Sequence, residues 1–324
     1  MSTTLVTGGN GYLGTQVIAA LLRSGHEVRT TVRSAESADD IREAMHRGGV
    51  DASGLDVVVA DLTSDDGWAR ASAHVEVVHH VASPIPPVQP QDADELIIPA
   101  REGTLRVLRA ARRAGVRRVV LTSSFAAVGY SPKPIRDYTE ADWTNPDDPK
   151  LAPYPRSKTI AERAAWDEVN TYSGDMDLVV LNPTFIIGPT LVPTLRSSLV
   201  AMKAIAEGTM PLLPRQRFGV VDVRDVADAH LTAASTVDAA NRRYLLLADG
   251  PTLTWLGLAQ AIRDHLGDAG DNVTLEEVVG EEPAPLSIHN DRAKRELHWS
   301  PRPVLTTIAD TMDNLRDGGW LSGA

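Results

Sequence analysis

The sequence predicts an α/β protein built on a doubly wound parallel sheet, with a smaller, discontinuous C-terminal lobe. From residue 3 to about residue 182, short β-branched runs alternate with longer amphipathic segments, the pattern of parallel strands joined by helices. The runs are rich in valine and have few polar interruptions, which is typical of strands covered on both faces. A glycine-rich turn follows the first run directly, as expected where a strand leads into a helix.

The individual elements follow from the period of the apolar residues. Strands are predicted at Thr3–Thr7, Glu27–Arg33, Asp56–Ala60, Val75–Val81, Arg117–Ser123 and Leu178–Asn182. Helices are predicted where apolar residues recur at helical spacing, at Gly11–Ser24, Ala38–Arg47, Ala93–Ala114 and Ser157–Tyr172.

The composition excludes several classes of protein. The 324 residues carry a formal net charge of −11 without a long basic run, so nucleic-acid binding is not expected. The absence of cysteine rules out disulfides and cysteine-based zinc sites, and we expect no other metal site. No uncharged apolar stretch reaches the ~18 residues of a membrane span, and no secretion signal opens the chain. We expect a soluble cytoplasmic protein, a monomer or homodimer, that acts on a small molecule and does not bind a membrane.

The turn after the first strand carries glycines at positions 8, 11 and 14. A pyrophosphate can approach the backbone N–H groups of a helix N-terminus only where side chains are absent. Glycine also permits positive φ and close packing of the helix on the strand. Because this turn lies between a strand and an amphipathic helix, it indicates dinucleotide binding; a purely structural glycine turn is the alternative.

The end of the second strand distinguishes between the two nicotinamide dinucleotides. An acidic residue there would bind the ribose hydroxyls of NAD, whereas an arginine would accept the 2′-phosphate of NADP. The strand ends at Arg33 and Ser34 without a carboxylate, so NADP is favoured over NAD. Glu36, Asp39 and Asp40 follow closely and weaken the positive potential, and an ordinary surface role for Arg33 is the alternative.

The regular alternation of strands and helices stops at Pro183, after which prolines interrupt short helical pieces. This change predicts a smaller lobe added to a Rossmann domain. A strand at Arg217–Val223, a helix at Arg224–Val237 and a strand at Arg243–Leu247 are expected to return to the main domain. The dinucleotide-binding domain would comprise residues 1–182 and about 217–248. The substrate-binding lobe would comprise residues 183–216 and 249–324.

Tyr154 and Lys158 stand four residues apart at the start of the helix that follows the fifth strand. Residues i and i+4 share one face of a helix, so both side chains can address one site. A neighbouring ammonium stabilises a phenolate and lowers the tyrosine pKa, which makes the pair suitable as a general acid for a forming alkoxide. Ser123 and Ser124 end the fifth strand, where a hydroxyl would reach the same crevice; bonding to turn backbone is the alternative.

These motifs keep the order and spacing of a known family. Over residues 3 to about 250 the chain resembles the extended short-chain dehydrogenase/reductases, and within them the dihydroflavonol reductase, cinnamoyl-CoA reductase and yeast-type aldehyde/ketone reductase group. The C-terminal third is similar only in general character. The resemblance rests on Thr7-Gly8-x-x-Gly11-x-x-Gly14, Asp61-Leu62, Val81-Ala82-Ser83-Pro84, Thr122-Ser123-Ser124, Tyr154-x-x-Ser157-Lys158 and Asn182-Pro183-Thr184.

The resemblance implies a role for each motif residue. Ser124 would be the catalytic serine, Tyr154 would protonate the substrate oxygen, and Lys158 would bind the nicotinamide ribose and lower the tyrosine pKa. Arg33 would meet the 2′-phosphate. The implied cofactor contacts are Thr7, Gly8, Gly11, Tyr12, Leu13, Gly14, Arg33, Asp61, Leu62, Val81, Ala82, Ser83, Thr122, Tyr154, Lys158, Pro183 and Thr184.

The predicted function is reversible, NADPH-dependent reduction of an aldehyde or ketone to an alcohol, with the proton supplied by Tyr154. Phe125, Tyr130 and Phe185 follow the motifs and are candidates for the substrate pocket. In plant flavonoid reductases an asparagine shortly after the serine helps to hold the substrate. That place falls on Gly129 here, so flavonoid specificity is not implied.

Two other functions compete with this prediction. A nucleotide-sugar epimerase or dehydratase with retained NAD would use the same scaffold. Such dehydratases typically have a Thr-Asp-Glu sequence at this strand end, whereas in this chain Ser124 is followed by Phe125 and Ala126. A cofactor-sensing protein without activity is the third hypothesis. Proteins of that kind typically lose the tyrosine or the lysine, and this chain has both Tyr154 and Lys158.

Overall fold

The computed structural model describes residues 3–84, 90, 92–131, 133–171 and 174–321. The strands, in chain order, are β1 (Thr3–Thr7), β2 (Glu27–Val32), β3 (Leu55–Val59), β4 (Val75–His80), β5 (Arg118–Thr122), β6 (Asp137–Tyr138), β7 (Asp177–Pro183), β8 (Phe185–Ile187), β9 (Arg217–Phe218), β10 (Val220–Asp222), β11 (Arg242–Leu246), β12 (Leu253–Thr254) and β13 (Ser287–Ile288). The α-helices are α1 (Tyr12–Arg23), α2 (Ser37–Arg47), α3 (Trp68–Ser72), α4 (Asp94–Arg113), α5 (Pro153–Asn170), α6 (Ser198–Ala206), α7 (Val223–Ser235), α8 (Trp255–Leu266), α9 (Asp291–Glu296) and α10 (Val304–Asp317).

The central sheet has seven parallel strands in the order β3-β2-β1-β4-β5-β7-β11. The chain runs outward from β1 to β3 and then crosses back to β4 on the other side of β1. The order therefore reverses between β1 and β4. In sheets of this kind a crevice opens at the carboxyl ends of the strands at this switch point, and ligands bind there.

Helices cover both faces of the sheet. On one face α1, α2 and α7 pack around a core that includes Val17, Ile41 and Val226. On the other face α3, α4 and α5 pack around a second core that includes Trp68 and Leu108. Burial on both faces explains why the central strands are nearly uninterrupted apolar runs.

The predicted fold class is confirmed, and the six strands predicted up to residue 182 are all present in the central sheet. The helix predicted at Ser157–Tyr172 begins earlier, because Pro153 fits the first turn, where its missing N–H costs nothing. Its observed last residue is Asn170, and Tyr172 lies outside the described residues. The strand and helix expected to return to the main domain do so as β11, which pairs with β7, and α7, which packs against α1.

The strand predicted at Arg217–Val223 is wrong in its pairing. It is divided at Gly219 into β9, which pairs antiparallel with β12, and β10, which pairs with β8, so neither part joins the central sheet. A Cβ at Gly219 would lie 2.9 Å from the Thr184 methyl group, so a larger residue here would have to displace Thr184. These short strands pack with α6, α8 and α10 around a separate apolar core. The boundaries of the two units remain a prediction.

Among the residues that the structure describes, no helix combines the length and apolar character needed to cross a membrane. Within the same residues, no group of three or more His, Asp or Glu side chains could hold a metal ion.

Candidate active site

The glycine turn lies at the switch point between β1 and β4. Gly8 has a φ of +72°, and a Cβ there would lie 3.0 Å from the Cα of Ala82 at the end of β4. A Cβ at Gly14 would lie 2.3 Å from the Gly8 carbonyl oxygen. The turn is therefore folded on itself and against the neighbouring strand so tightly that side chains at these two positions do not fit.

The N-terminus of α1 faces this turn without a side-chain cap. Gly11 is the N-cap residue, no side chain of the described chain caps the helix, and the first turn contains no acidic residue. The first backbone N–H groups and the positive end of the helix dipole are thus available to an anion. This arrangement fits the pyrophosphate of a dinucleotide. Tyr12 fixes the start of the helix by donating from its hydroxyl to the Gly188 carbonyl oxygen, 2.7 Å away, and Leu13 is buried beneath it.

Thr7 holds the ends of β1 and β4 together. Its Oγ1 accepts hydrogen bonds from the backbone N–H groups of Val81 (3.1 Å) and Ala82 (3.0 Å), and it lies 2.8 Å from His80 Nδ1. Because two donors occupy its acceptor positions, the hydroxyl donates to Nδ1, and burial lowers the His80 pKa to about 3. The Thr7 hydroxyl is therefore fully used and the whole residue is buried, so the structure does not support the predicted cofactor contact of Thr7.

The exposed guanidinium of Arg33 lies at the end of β2 and forms no hydrogen bond with the described part of the chain. Its charge acts on Asp61, whose pKa is lowered first by hydrogen bonds from Thr63 and then by Arg33. Two of the predicted cofactor contacts, Arg33 and Asp61, thus lie near each other at the same side of the crevice. The Ser34 hydroxyl interacts with the carboxylate of Glu36. The pKa of Glu36 is lowered first by a hydrogen bond from its own backbone N–H and then by one from Ser34.

The remaining predicted contacts line the carboxyl edge of the sheet. Leu62 packs against Gly103 of α4; a Cβ added at Gly103 would lie 2.8 Å from the Cβ of Leu62. Thr122 Oγ1 lies 2.8 Å from His230 Nε2. Pro183 is buried at the end of β7, and Thr184 donates to the Leu246 carbonyl oxygen over 3.2 Å. Ser83 is half-buried beside the same edge.

Tyr154 and Ser124 meet above the end of β5. Tyr154 lies in the first turn of α5, and Ser124 caps the short 3₁₀ turn Phe125–Ala127, where its Oγ accepts a 3.1 Å hydrogen bond from the Ala126 N–H. The Ser124 hydroxyl is close enough to the Tyr154 phenol to lower the pKa of that phenol. Lys158 follows one helical turn after Tyr154 and is 8% exposed. The structure thus brings the three predicted catalytic residues together.

The expected lowering of the Tyr154 pKa is wrong for this structure. Burial raises the pKa of Tyr154, and the hydrogen bond from Ser124 offsets this only in part. Lys158 is itself removed from water, and burial lowers its pKa to about 8 against the opposing effect of Glu162. Lys158 and Glu162 lie one helical turn apart on α5 and line the same small cavity.

The three aromatic pocket candidates have different surroundings. Phe125 is only 9% exposed and packs edge-on against Tyr138 in a small apolar core, because the 3₁₀ turn directs it inward; its predicted place in an open pocket is therefore not supported. Tyr130 is 54% exposed. Phe185 is partly exposed beside Phe218 and Trp255, with ring centroids 5.3 and 5.6 Å away.

Gly129 cannot be replaced by a larger residue without moving Phe125. A Cβ at Gly129 would lie 2.1 Å from Cζ of the Phe125 ring. An asparagine at this place is incompatible with the observed packing, which agrees with the absence of the flavonoid-reductase pattern in the sequence.

Sequence reasoning missed Glu162 and gave no role to Asn182, although Asn182 belongs to one of the motifs; both residues lie directly behind the site. Glu162 is 1% exposed and accepts a hydrogen bond from Ser123, and Asn182 donates to the carbonyl oxygen of Ser124 over 3.2 Å. The available signal was the position of Glu162 four residues after Lys158, on the same helix face.

Comparison with known proteins agrees with this geometry. A family model described as the NAD dependent epimerase/dehydratase family matches residues 4–246. The chain is similar to tetraketide alpha-pyrone reductase 2 of Arabidopsis thaliana, with 33% identity over 273 residues that cover 82% of this chain and 83% of the relative. It is also similar to cinnamoyl-CoA reductase CAD2 of Medicago truncatula, with 34% identity over 247 residues that cover 74% of each protein.

Among solved structures, the chain is similar to Gre2 of Candida albicans in its complex with NADPH. The TM-score is 0.84 at 26% sequence identity, and the match covers 98% of this chain and 99% of the other. The likeness thus includes the C-terminal lobe, for which the sequence motifs alone gave little information.

Proposed function

Since the chain belongs to the NAD dependent epimerase/dehydratase family, the extended short-chain dehydrogenase/reductases, and is an NADP-dependent oxidoreductase, we propose that it reduces an aldehyde or ketone to an alcohol with NADPH. The observation that carries the proposal is the meeting of Ser124, Tyr154 and Lys158 at the end of β5, on the edge where the glycine turn lies. The two curated relatives are named as reductases, which supports reduction of a carbonyl group. The reverse oxidation uses the same transition state.

NADPH, when bound, supplies the hydride. We assign its pyrophosphate to the N–H groups at the start of α1 and its 2′-phosphate to Arg33, whose guanidinium is exposed. Lys158 would hold the ribose hydroxyls, because it lies one turn beyond Tyr154 on the same helix face. The NADPH-bound structure of the similar Candida protein supports this choice of cofactor.

Proton transfer is assigned to Tyr154. Burial raises its pKa, so the phenol keeps its proton at neutral pH and can donate it to the substrate oxygen as that oxygen becomes an alkoxide. Ser124 Oγ accepts the N–H of Ala126, so the hydroxyl proton that is directed at Tyr154 in the free protein can turn to the same substrate oxygen. The Lys158 ammonium, charged below a pKa of about 8, then stabilises the phenolate that remains.

An apolar or aromatic flank on the substrate is favoured by the side chains around the site. Tyr130 is exposed after the 3₁₀ turn, and Phe185 follows directly after Pro183 and Thr184. Phe185 is part of an aromatic cluster with Phe218 and Trp255, so an apolar substituent placed there would contact rings and not charged groups.

Elimination of water, as in nucleotide-sugar dehydratases, is less well supported. The residues that follow Ser124 are Phe125, Ala126 and Ala127, all of them buried and apolar. Glu162 is the nearby carboxylate, but it is behind the strand and holds hydrogen bonds from four donors. The turn therefore offers no acid for an elimination step.

The test is an assay of NADPH absorbance with a panel of aromatic, aliphatic and small dicarbonyl compounds. The wild-type protein is expected to oxidise NADPH with at least one class, and Tyr154→Phe to lower turnover by at least ~100-fold while NADPH still binds. Tyr138→Phe is a matched control, because that hydroxyl donates to the Ser131 carbonyl oxygen outside the site. A wild-type protein inactive on every class, or a Tyr154→Phe variant with normal turnover, would contradict the proposal.

A further inference from the structure

Glu162 is a carboxylate inside the protein, one helical turn after Lys158 on α5. It is 1% exposed, between α5 and the central sheet. Removing a carboxylate from water is costly unless its oxygens are fully hydrogen-bonded and its charge is balanced. A buried Glu at this place therefore calls for an explanation beyond the packing of the helix.

Both oxygens of Glu162 are occupied. Oε2 accepts from Ser123 Oγ at 2.5 Å and from Asn182 Nδ2 at 2.8 Å. Oε1 accepts from Arg243 Nε at 2.6 Å and from Trp166 Nε1 at 3.3 Å. The carboxylate thus joins α5 to three neighbouring strands, β5, β7 and β11, at the end of the sheet where the site lies.

We propose that Glu162 is the positioning residue of this active site: it fixes the end of β5 that presents Ser124, and it supplies the counter-charge for Lys158. The inference rests on the proposed function. Ser123 is held through its hydroxyl, and Ser124 is held through Asn182, whose Nδ2 donates both to Glu162 and to the Ser124 carbonyl oxygen over 3.2 Å. Glu162 therefore connects the end of β5, which carries Ser124, to α5, which carries Tyr154.

The charge of Glu162 acts directly on Lys158. Both side chains line the same small cavity, whose other walls from α4 are the uncharged Ala100 and Thr104. Burial lowers the pKa of Lys158, and Glu162 is the group that opposes this. From β4 the titratable neighbour is His80, which burial keeps neutral. Glu162 is thus the negative group that favours the ammonium form.

Arg243 keeps Glu162 in place from the other side. Its guanidinium donates to the carbonyl oxygens of Glu140 (2.8 Å) and Asp142 (2.9 Å) and lies over the Trp143 ring, 3.7 Å from the centroid. Because these contacts fix the arginine independently, it balances part of the carboxylate charge without drawing Glu162 away from Ser123.

The experiment compares Glu162→Gln, Glu162→Asp and the control Glu168→Gln in the full chain, with the carbonyl substrate that the wild type reduces. Glu168 is a suitable control, because it lies on the same helix and pairs with Arg109 and Arg112 of α4, away from the site. The measurements are kcat, KM, the pH dependence of kcat, NADPH affinity by fluorescence and the unfolding temperature.

Glu162→Gln removes the counter-charge. We expect kcat to fall by about tenfold or more, and its alkaline limb to move to lower pH by at least about one unit, the effect of losing an opposite charge nearby. NADPH should still bind. Glu162→Asp keeps the charge but withdraws it by one methylene, so its alkaline limb should match the wild type while kcat is reduced. Glu168→Gln should lower only the unfolding temperature.

A folded Glu162→Gln with the wild-type kcat and pH profile would overturn the inference. If that variant does not fold, a folded Glu162→Asp with wild-type kcat would overturn it equally. The same applies if Glu168→Gln moves the alkaline limb as far as Glu162→Gln does. An inactive wild type would instead contradict the proposed function, so the two failures are distinguishable.

Discussion

The hydroxyl of Ser123 lies 2.5 Å from Oε2 of Glu162 and donates to it, away from Tyr154. Successive side chains at a strand end point to opposite sides, so the next residue, Ser124, faces the crevice. The lowering effect of the Ser124 hydroxyl on the pKa of Tyr154 agrees with this alternation. The choice between the two serines, which the sequence left to resemblance, has a geometric basis.

Ser124→Ala should therefore lower kcat by ~10²-fold, near the lower end of the cost of losing a positioned oxyanion donor. Ser123→Ala removes one of four donors to Glu162 and should affect stability and turnover much less. Both variants are to be compared at saturating NADPH, so that cofactor binding does not affect the result. A larger loss in Ser123→Ala would show that the catalytic hydroxyl is one residue earlier.

The main sheet could be predicted because its signals are local. The inner strands β1, β4, β5 and β7 are mostly buried runs, and the connecting helices show their own apolar period. The division of 217–223 into two strands could not be predicted, because it depends on the close approach of Gly219 to Thr184, which no local pattern encodes.

The catalytic residues could be predicted from motif spacing, but their surroundings could not. Glu162 would be a surface residue on most helices, and here its partners Asn182 and Arg243 are 20 and 81 residues later in the chain. The raised pKa of Tyr154 likewise results from burial, which the sequence spacing does not give. Phe125 is in the core because of a short turn that has no apolar period.

Cofactor preference should depend on Arg33. Arg33→Ala is expected to raise KM for NADPH by about tenfold or more, the effect of losing a charge-assisted hydrogen bond of ~1.5–3 kcal/mol. KM for NADH should change little, because NADH has no 2′-phosphate. Arg42→Ala is the control, since Arg42 pairs with Asp39 3.1 Å away. A wild-type protein that prefers NADH would contradict this assignment.

The glycine turn offers a test of steric need. A methyl group at Gly14 would meet the Gly8 carbonyl oxygen at 2.3 Å, whereas one at Gly11 would lie 3.2 Å from the same atom. Gly14→Ala should lower the free energy of unfolding by roughly 1–3 kcal/mol, as expected for overpacking, even without cofactor. Gly11→Ala should cost much less. Urea unfolding of both variants checks this, and equal losses would mean that the turn adjusts.

Lys158 should make the protein less stable at neutral pH. Its pKa is 10.5 in an ordinary exposed setting and about 8 in the folded protein, where burial disfavours the charged form. Below about pH 8 the lysine is charged in both the folded and the unfolded chain, so the cost of burying the charge is fully present. Above about pH 10.5 it is neutral in both, and the cost disappears.

Lys158→Met removes the charge and shortens the unbranched side chain by one atom. The difference between 10.5 and about 8 corresponds to about 3 kcal/mol, so the variant should be more stable than the wild type by up to that amount near pH 7. The advantage should shrink as the pH rises through 8 towards 10.5. Turnover should be lost, because the group that stabilises the phenolate is gone.

Lys150→Met, at an exposed position, is the matched control and should show no such pH dependence. Urea unfolding across this pH range makes the comparison, and a Lys158→Met variant less stable than the wild type near pH 7 would mean that Glu162 more than offsets the cost of burying the ammonium.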